Sequence, residues 1–436
     1  MPEQSTPLEA QLTAQLMADR ERLVIEQPPL EQITRRARVL RRRQTALRGA
    51  VVAAVAIFAG TVAVRAVDDS PDRHAPAAER SSAPVVDEAG VWTADGITIN
   101  GLPAAPADVP GEIAQVEFAD PDRGYLLSTD CSRPPVCGVH VGSTLDGGRT
   151  WKVRAAPGEL AAAPRERIPL LLVLGDQMAV VSNPADPAVN RYTSIDGGEH
   201  WMHGIGSWWQ STGPPLPGGA RLQLLPGPGG GPCGGTLVAW LPQFEGGVLG
   251  AGLTGLPSQP SMSVCWVSPV HAGDGAWWVG GRVDRRPAVA VSRNGGVDWD
   301  VRTFDVPGDG ARVAMLGSRV YVTIVESVPG GADRLRAVYH SDDRGQRFTA
   351  PAGTGGGADT IAGDLVPLLD DRLLMVDGDG RWLLSADQGA TWTHAEGLHK
   401  TARLARAFSG YVAYGMTKLY TAYSVDGSTW RKLNAT

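Results

Sequence analysis

The residues best suited to hold or act on a ligand fall into separate sets. Trp208, Trp209 and Gln210 stand together in a Pro/Gly-rich run from Gly204 to Pro217. Indoles in such a loop cover something: a protein partner, a glycan ring or simply the adjacent loop. Asp130 lies in the segment Ser128 to Gly138, and Arg285 and Arg286 end the segment Arg282 to Arg286, where they offer fixed positive charge to an anion. Phenols that could act as nucleophiles are Tyr125, Tyr192, Tyr321, Tyr339, Tyr411 and Tyr414, yet no spacing marks one of them. Asp377-Gly378-Asp379-Gly380 hints at calcium but lacks the downstream ligands of a calcium loop and reads better as a hairpin turn. Cys131, Cys137, Cys233 and Cys265 have the wrong spacings for zinc and no nearby His, so no metal or other cofactor is expected. Their even number suits two disulfides in an oxidising compartment, one of them Cys131–Cys137 stapling its loop.

The scaffold that must position these residues is repetitive. The pattern Ser/Thr-x-Asp-x-Gly-x-x-Trp runs from Thr144 to Trp151 around Asp146, Ser194 to Trp201 around Asp196, Ser292 to Trp299 around Asn294, Ser341 to Phe348 around Asp343, and Ser385 to Trp392 around Asp387. A sixth copy, Ser424 to Trp430 around Asp426, is one residue short. The Asp or Asn side chain is expected to bond backbone N–H groups ahead of it and pin a tight turn. The Gly then takes positive φ, and the aromatic ring swings between neighbouring sheets. Strand-like runs such as Ala337 to His340 precede the turns, so each box joins two antiparallel strands.

From Asp146 to Asp426 the Asp or Asn positions lie 50, 98, 49, 44 and 39 residues apart. The 98 is twice 49, so one blade lacks a box; it should fall near Thr236 to Ser263, with strands at Leu237 to Trp240 and Val248-Leu249 around Gly246-Gly247. An all-β, seven-bladed propeller follows, four short strands to a blade. Six blades with 205–265 as one insertion is the alternative. Gly90 to Leu102 reads as a strand and turn that completes the last blade and closes the ring.

Over Gly90 to Thr436 this pattern resembles the Asp-box families: bacterial neuraminidases and other sialidases, the lumenal domain of sortilin-type receptors, and the photosystem assembly propellers. The resemblance implies a propeller with its boxes on the face away from the ligand site. In sialidases three arginines grip the sugar carboxylate, a Tyr activated by Glu is the nucleophile and an Asp is the acid/base. The first arginine is marked by Phe/Tyr-Arg-Ile-Pro ahead of the first box. The nearest match, Glu166-Arg167-Ile168-Pro169, lacks the aromatic and follows that box, so it reads as coincidence. Tyr192 and Tyr339 alternate with the box strands and read as core.

Composition agrees with this fold class. The 55 Gly and 33 Pro among 436 residues exceed what a helical protein tolerates. Net charge is -6, while arginines crowd Arg35 to Arg48, so a nucleic-acid surface over the whole molecule is excluded. Directly after that cluster, 47–67 is apolar enough for a transmembrane helix, and the positive-inside rule places 1–46 in the cytoplasm. More than forty residues precede the span, which argues against a cleaved signal. The tail 1–46 carries helical spacing at Leu8, Leu12 and Leu16. It would either dock a partner helix or serve as a solvated basic tail on anionic lipid. It resembles the cytoplasmic segments of bacterial membrane proteins that restrain sigma factors. Between them, 68–89 is a flexible Ala/Pro-rich linker to the propeller, 90–436.

Two function classes follow. One is a membrane-anchored, extracytoplasmic module that binds a protein or glycan without catalysis and signals through its tail. The other is a divergent sialidase-like glycoside hydrolase tethered at the cell surface. The predicted binding face is opposite the boxes, where the loops holding Asp130, Trp208 and Arg285 emerge.

Overall fold

The computed structural model describes residues 85–86 and 91–433, apart from 102–108, 133–134, 165–167, 175–177, 184–189, 205–214, 218, 226, 228–232, 246–247, 273, 329–330, 351–357 and 415–420. The chain divides into two compact units, 1–79 and 80–436. The expected tail 1–46, the membrane span 47–67 and most of the linker 68–89 lie outside the described residues. Among the described residues no helix is long and apolar enough to cross a membrane.

The second unit is a seven-bladed β-propeller. Seven antiparallel sheets follow one another along the chain, with first strands Glu112–Phe118, Leu170–Leu174, Arg221–Leu225, Ser263–Val267, Gly310–Leu316, Val366–Pro367 and Arg403–Arg406. The first strands of blades one and two, and those of blades three to six in succession, lie beside each other, and the other joints run through a second strand. Blade three has no box and three strands, Arg221–Leu225, Thr236–Glu245 and Val248–Gly255. It falls where the doubled spacing puts it, which excludes the six-bladed alternative.

Each box is a closed knot of local hydrogen bonds. In blade six, Ser385 Oγ donates to Asp387 Oδ1 at 2.8 Å and accepts from Gly389 N at 2.8 Å. Asp387 Oδ1 also accepts from Thr391 N at 2.9 Å. The Ser is 1% exposed, so its hydroxyl takes the place of water at the Gly389 N–H. The box Gly takes φ between +79° and +95° in all six copies, a region costly for any residue with a Cβ.

Packing follows the blade interfaces. Seven apolar clusters lie between consecutive blades, and six of them contain one box aromatic: Trp151, Trp201, Trp299, Phe348, Trp392 and Trp430. The seventh, between blades two and three, has none, and Trp240 from the second strand of blade three fills it, fully buried. Its indole N–H donates to Gln223 Oε1, which satisfies the one polar atom this substitution buries. Trp277 and Trp278 are both 2% exposed and point into different interfaces, three–four and four–five, as alternation on a strand requires.

The N-terminal hairpin differs from expectation. Blade seven already has four strands from the C-terminal segment, and Ile97–Asn100 adds outside them, parallel to Thr429–Leu433. Val85–Val86 continues the sheet outward through Trp92–Ala94. The hairpin therefore extends a complete blade, and the ring closes through the cluster of Phe118, Val412, Tyr423 and Leu433 between blades seven and one. Trp92 anchors it, stacked on His399 at 3.9 Å with Lys432 Nζ 3.0 Å from its ring centre. Burial there pushes the Lys432 amine down to about 8.

Candidate functional site

In an antiparallel blade the first-to-second turn and the third-to-fourth turn share one face. The boxes therefore lie beside the first-to-second turns, and the second-to-third turns emerge opposite. Both disulfides expected from the sequence are present, Cys131–Cys137 across a second-to-third turn and Cys233–Cys265 between blades three and four.

The site residues singled out from the sequence do not form one described cluster. Trp208, Trp209 and Gln210 lie outside the described residues. Asp130 accepts the Ser132 N–H at 3.0 Å within its own turn. Arg285 occupies a two-residue turn with Asp284, at φ +70° and +47°, and Arg286 pairs with Asp305. These residues belong to blades one and four. The Asp377 to Gly380 segment is the hairpin turn its sequence implies, since Asp377 Oδ1 accepts from Asp379 N at 2.9 Å and Arg381 N at 2.8 Å. No group of His, Cys, Asp and Glu among the described residues is arranged to hold a metal.

Along the axis, arginines from the first strands are already engaged. Arg221 pairs with Glu117 at 2.7 Å, donates to Val173 O at 3.0 Å, and the other Glu117 oxygen accepts Phe408 N–H at 3.1 Å. The side chains are 4% and 6% exposed, so this network joins blades seven, one, two and three in place of apolar packing. Arg312 pairs with Asp333 and donates to Gly363 O, linking blade five to blade six.

A different place is open. On the box face, at the mouth of the central channel between blades four and seven, is a cavity of about 370 Å³. Its walls include Val313, Met315, Leu365 and Pro367, and its polar groups include Asp364, Arg406 and Tyr411. The inner strands bring them together: Asp364 precedes Val366–Pro367, and Arg406 and Tyr411 pair across the first turn of blade seven. Asp364 Oδ2 accepts the Arg406 backbone N–H at 3.0 Å, and the Arg406 guanidinium lies 4.5 Å from the Tyr411 ring centre. Burial raises the Tyr411 phenol, against the pull of Arg406. Leu369, 72% exposed, stands at the rim. The sequence carried no motif for this site, because its members come from turns of four blades.

Every tyrosine with a resolved shift has its phenol raised, by burial first: Tyr125 to about 12, and Tyr321, Tyr339, Tyr411, Tyr414 and Tyr423 upward as well. Such phenols stay protonated at neutral pH unless a base takes the proton.

No family model and no curated protein matches the chain. Among solved structures it is similar to YCF48 bound to D1 peptide, at 14% identity over 74% of this chain and 94% of that one, with a TM-score of 0.43. YCF48 from Cyanidioschyzon merolae is 18% identical over 71% of this chain and 94% of its own, with a TM-score of 0.42. The Hadza microbial sialidase Hz136 is 16% identical over 71% of this chain and 62% of its own, with a TM-score of 0.33. The architecture itself rests on the seven sheets.

Proposed function

We propose that this chain is a membrane-anchored binding module whose propeller, outside the cell, holds a protein or glycan ligand without transforming it. The observation that carries this reading is the commitment of the arginines that the first strands bring to the axis: Arg221 is engaged by Glu117 and Arg312 by Asp333, so neither is left to grip a substrate carboxylate as a sialidase-like mechanism requires. Both disulfides agree with an oxidising, extracytoplasmic location. The anchor at 47–67 and the inward-facing tail 1–46 rest on hydropathy and on the arginine cluster, and the tail is where a cytoplasmic regulator such as a sigma factor would dock.

A fluorogenic sialoside offered to the purified chain is expected to remain intact. Turnover that is lost in Tyr414→Phe or Tyr411→Phe would overturn the non-catalytic reading. A pull-down with residues 1–46 tests the tail: a stoichiometric cytoplasmic protein supports signalling, and recovery of nothing but anionic lipid leaves the tail as an orientation signal alone.

A further inference from the structure

The box-face cavity holds two opposite charges that do not neutralise each other. Among the described residues, the Arg406 guanidinium has no carboxylate within ion-pair distance, and it rests on the Tyr411 ring. Asp364, lining the same cavity, takes only the Arg406 backbone N–H from the described groups. Its other neighbour of like sign, Asp426, is consumed by its box, where Oδ1 accepts from Ser428 N and Thr429 N, both at 2.9 Å. Half-buried charges facing a shared cavity without counter-charges are costly in a free protein and are compensated by a ligand that brings both. Val313, Met315 and Leu365 form an apolar stretch of the remaining wall, with Ser268 and His271 beside it. A volume of about 370 Å³ suits a small molecule.

We propose that this mouth of the channel binds a small zwitterion with an apolar side chain, an α-amino acid of the leucine type. Its carboxylate sits on Arg406 and the Tyr411 hydroxyl, its ammonium on Asp364, and its side chain against Met315 and Leu365. The site is on the face opposite the one the sequence points to, and it rests on the reading of the propeller as a binding module.

The test is calorimetric titration of the full-length chain in detergent micelles with L-leucine, N-acetyl-L-leucine and L-leucinamide. Saturable binding of leucine is expected, with each blocked analogue at least tenfold weaker because one charge is lost. Asp364→Asn and Arg406→Met should each abolish binding, and Tyr411→Phe, which keeps the ring, should weaken it severalfold. No saturable heat with leucine, or an analogue binding as tightly as leucine, overturns the proposal. The analogue series uses the native chain, so a variant that fails to fold does not affect it. Sialoside turnover would defeat the binding-module reading and leave this titration standing; absent leucine binding without turnover defeats this proposal alone.

Discussion

Asn294 Nδ2 donates to Asp298 Oδ2 at 2.8 Å, and this pair inverts the polarity found in the other full-length boxes. At the same position four residues on, Thr150, His200, Arg347 and Thr391 present a donor to the second carboxylate oxygen of Asp146, Asp196, Asp343 and Asp387. Where the box residue is an amide, its partner is the acceptor. Asn294→Asp should therefore face two carboxylates and lose ~0.5–1 kcal/mol, shrinking in high salt. Asn294→Asp with Asp298→Thr should recover it. Thermal unfolding of the three chains checks this, and an Asn294→Asp protein as stable as the parent would refute the inversion.

Removing one member of the buried Glu117–Arg221 pair strands the other. Glu117→Gln and Arg221→Met should each destabilise by about 3–5 kcal/mol, and the double substitution should cost much less than the sum. Urea unfolding of the four chains completes the cycle; additive losses would mean that the two side chains act independently.

Trp240 does at the interface of blades two and three what a box aromatic does elsewhere. Trp240→Ala should cost about 3–5 kcal/mol, and Trp240→Phe less, since it loses only part of the ring and the bond to Gln223. A loss below about 1 kcal/mol in denaturant unfolding would show that the boxless blade does not depend on this ring.

The boxes set the acid limb of stability. Burial alone would raise Asp196, but hydrogen bonds from the backbone and side chain of His200 and from Ser194 bring it to about 2. Asp146, Asp387 and Asp426 are lowered against the same desolvation, and Asp343 is lowered chiefly by the Arg347 backbone N–H. A carboxylate whose folded pKa is depressed below the unfolded ~3.9 contributes stability above that value and loses it as pH falls through the folded one. The unfolding midpoint should hold from pH 7 to about 4 and drop towards about 2. A midpoint that is flat to pH 2.5 would contradict this.

Cys233–Cys265 closes a longer loop than Cys131–Cys137, with separations of 32 and 6 residues, and ties blade three to blade four. Opening it with Cys233→Ala and Cys265→Ala should cost ~2–4 kcal/mol, about 1.5 kcal/mol more than opening the other. Equal losses in chemical denaturation would mean that loop length does not govern the difference.

The propeller was legible because an Asp box is local. Its bonds run from a residue to those two to four positions away, so Ser341, Asp343 and Gly345 specify their turn whatever surrounds them, and the repeat spacing counts the blades, including the one without a box. The alternation at Trp277-Trp278 and the turn at Asp377 to Gly380 were legible for the same reason. Asn294 with Asp298 was readable too, by comparing the fourth position after each box residue. Long-range placement was not. Glu117 and Arg221 meet across 104 residues, and Asp364 and Arg406 across 42, because the ring brings first strands of different blades to one axis. Asp130 bonds within its own turn, and Arg286 pairs with Asp305. The sequence alone thus determined the fold and its fasteners, through hydrogen bonds that close within a few residues. Only the tertiary structure decided which side chains share the channel mouth, since closing a ring sets distances between blades that no short stretch of chain encodes.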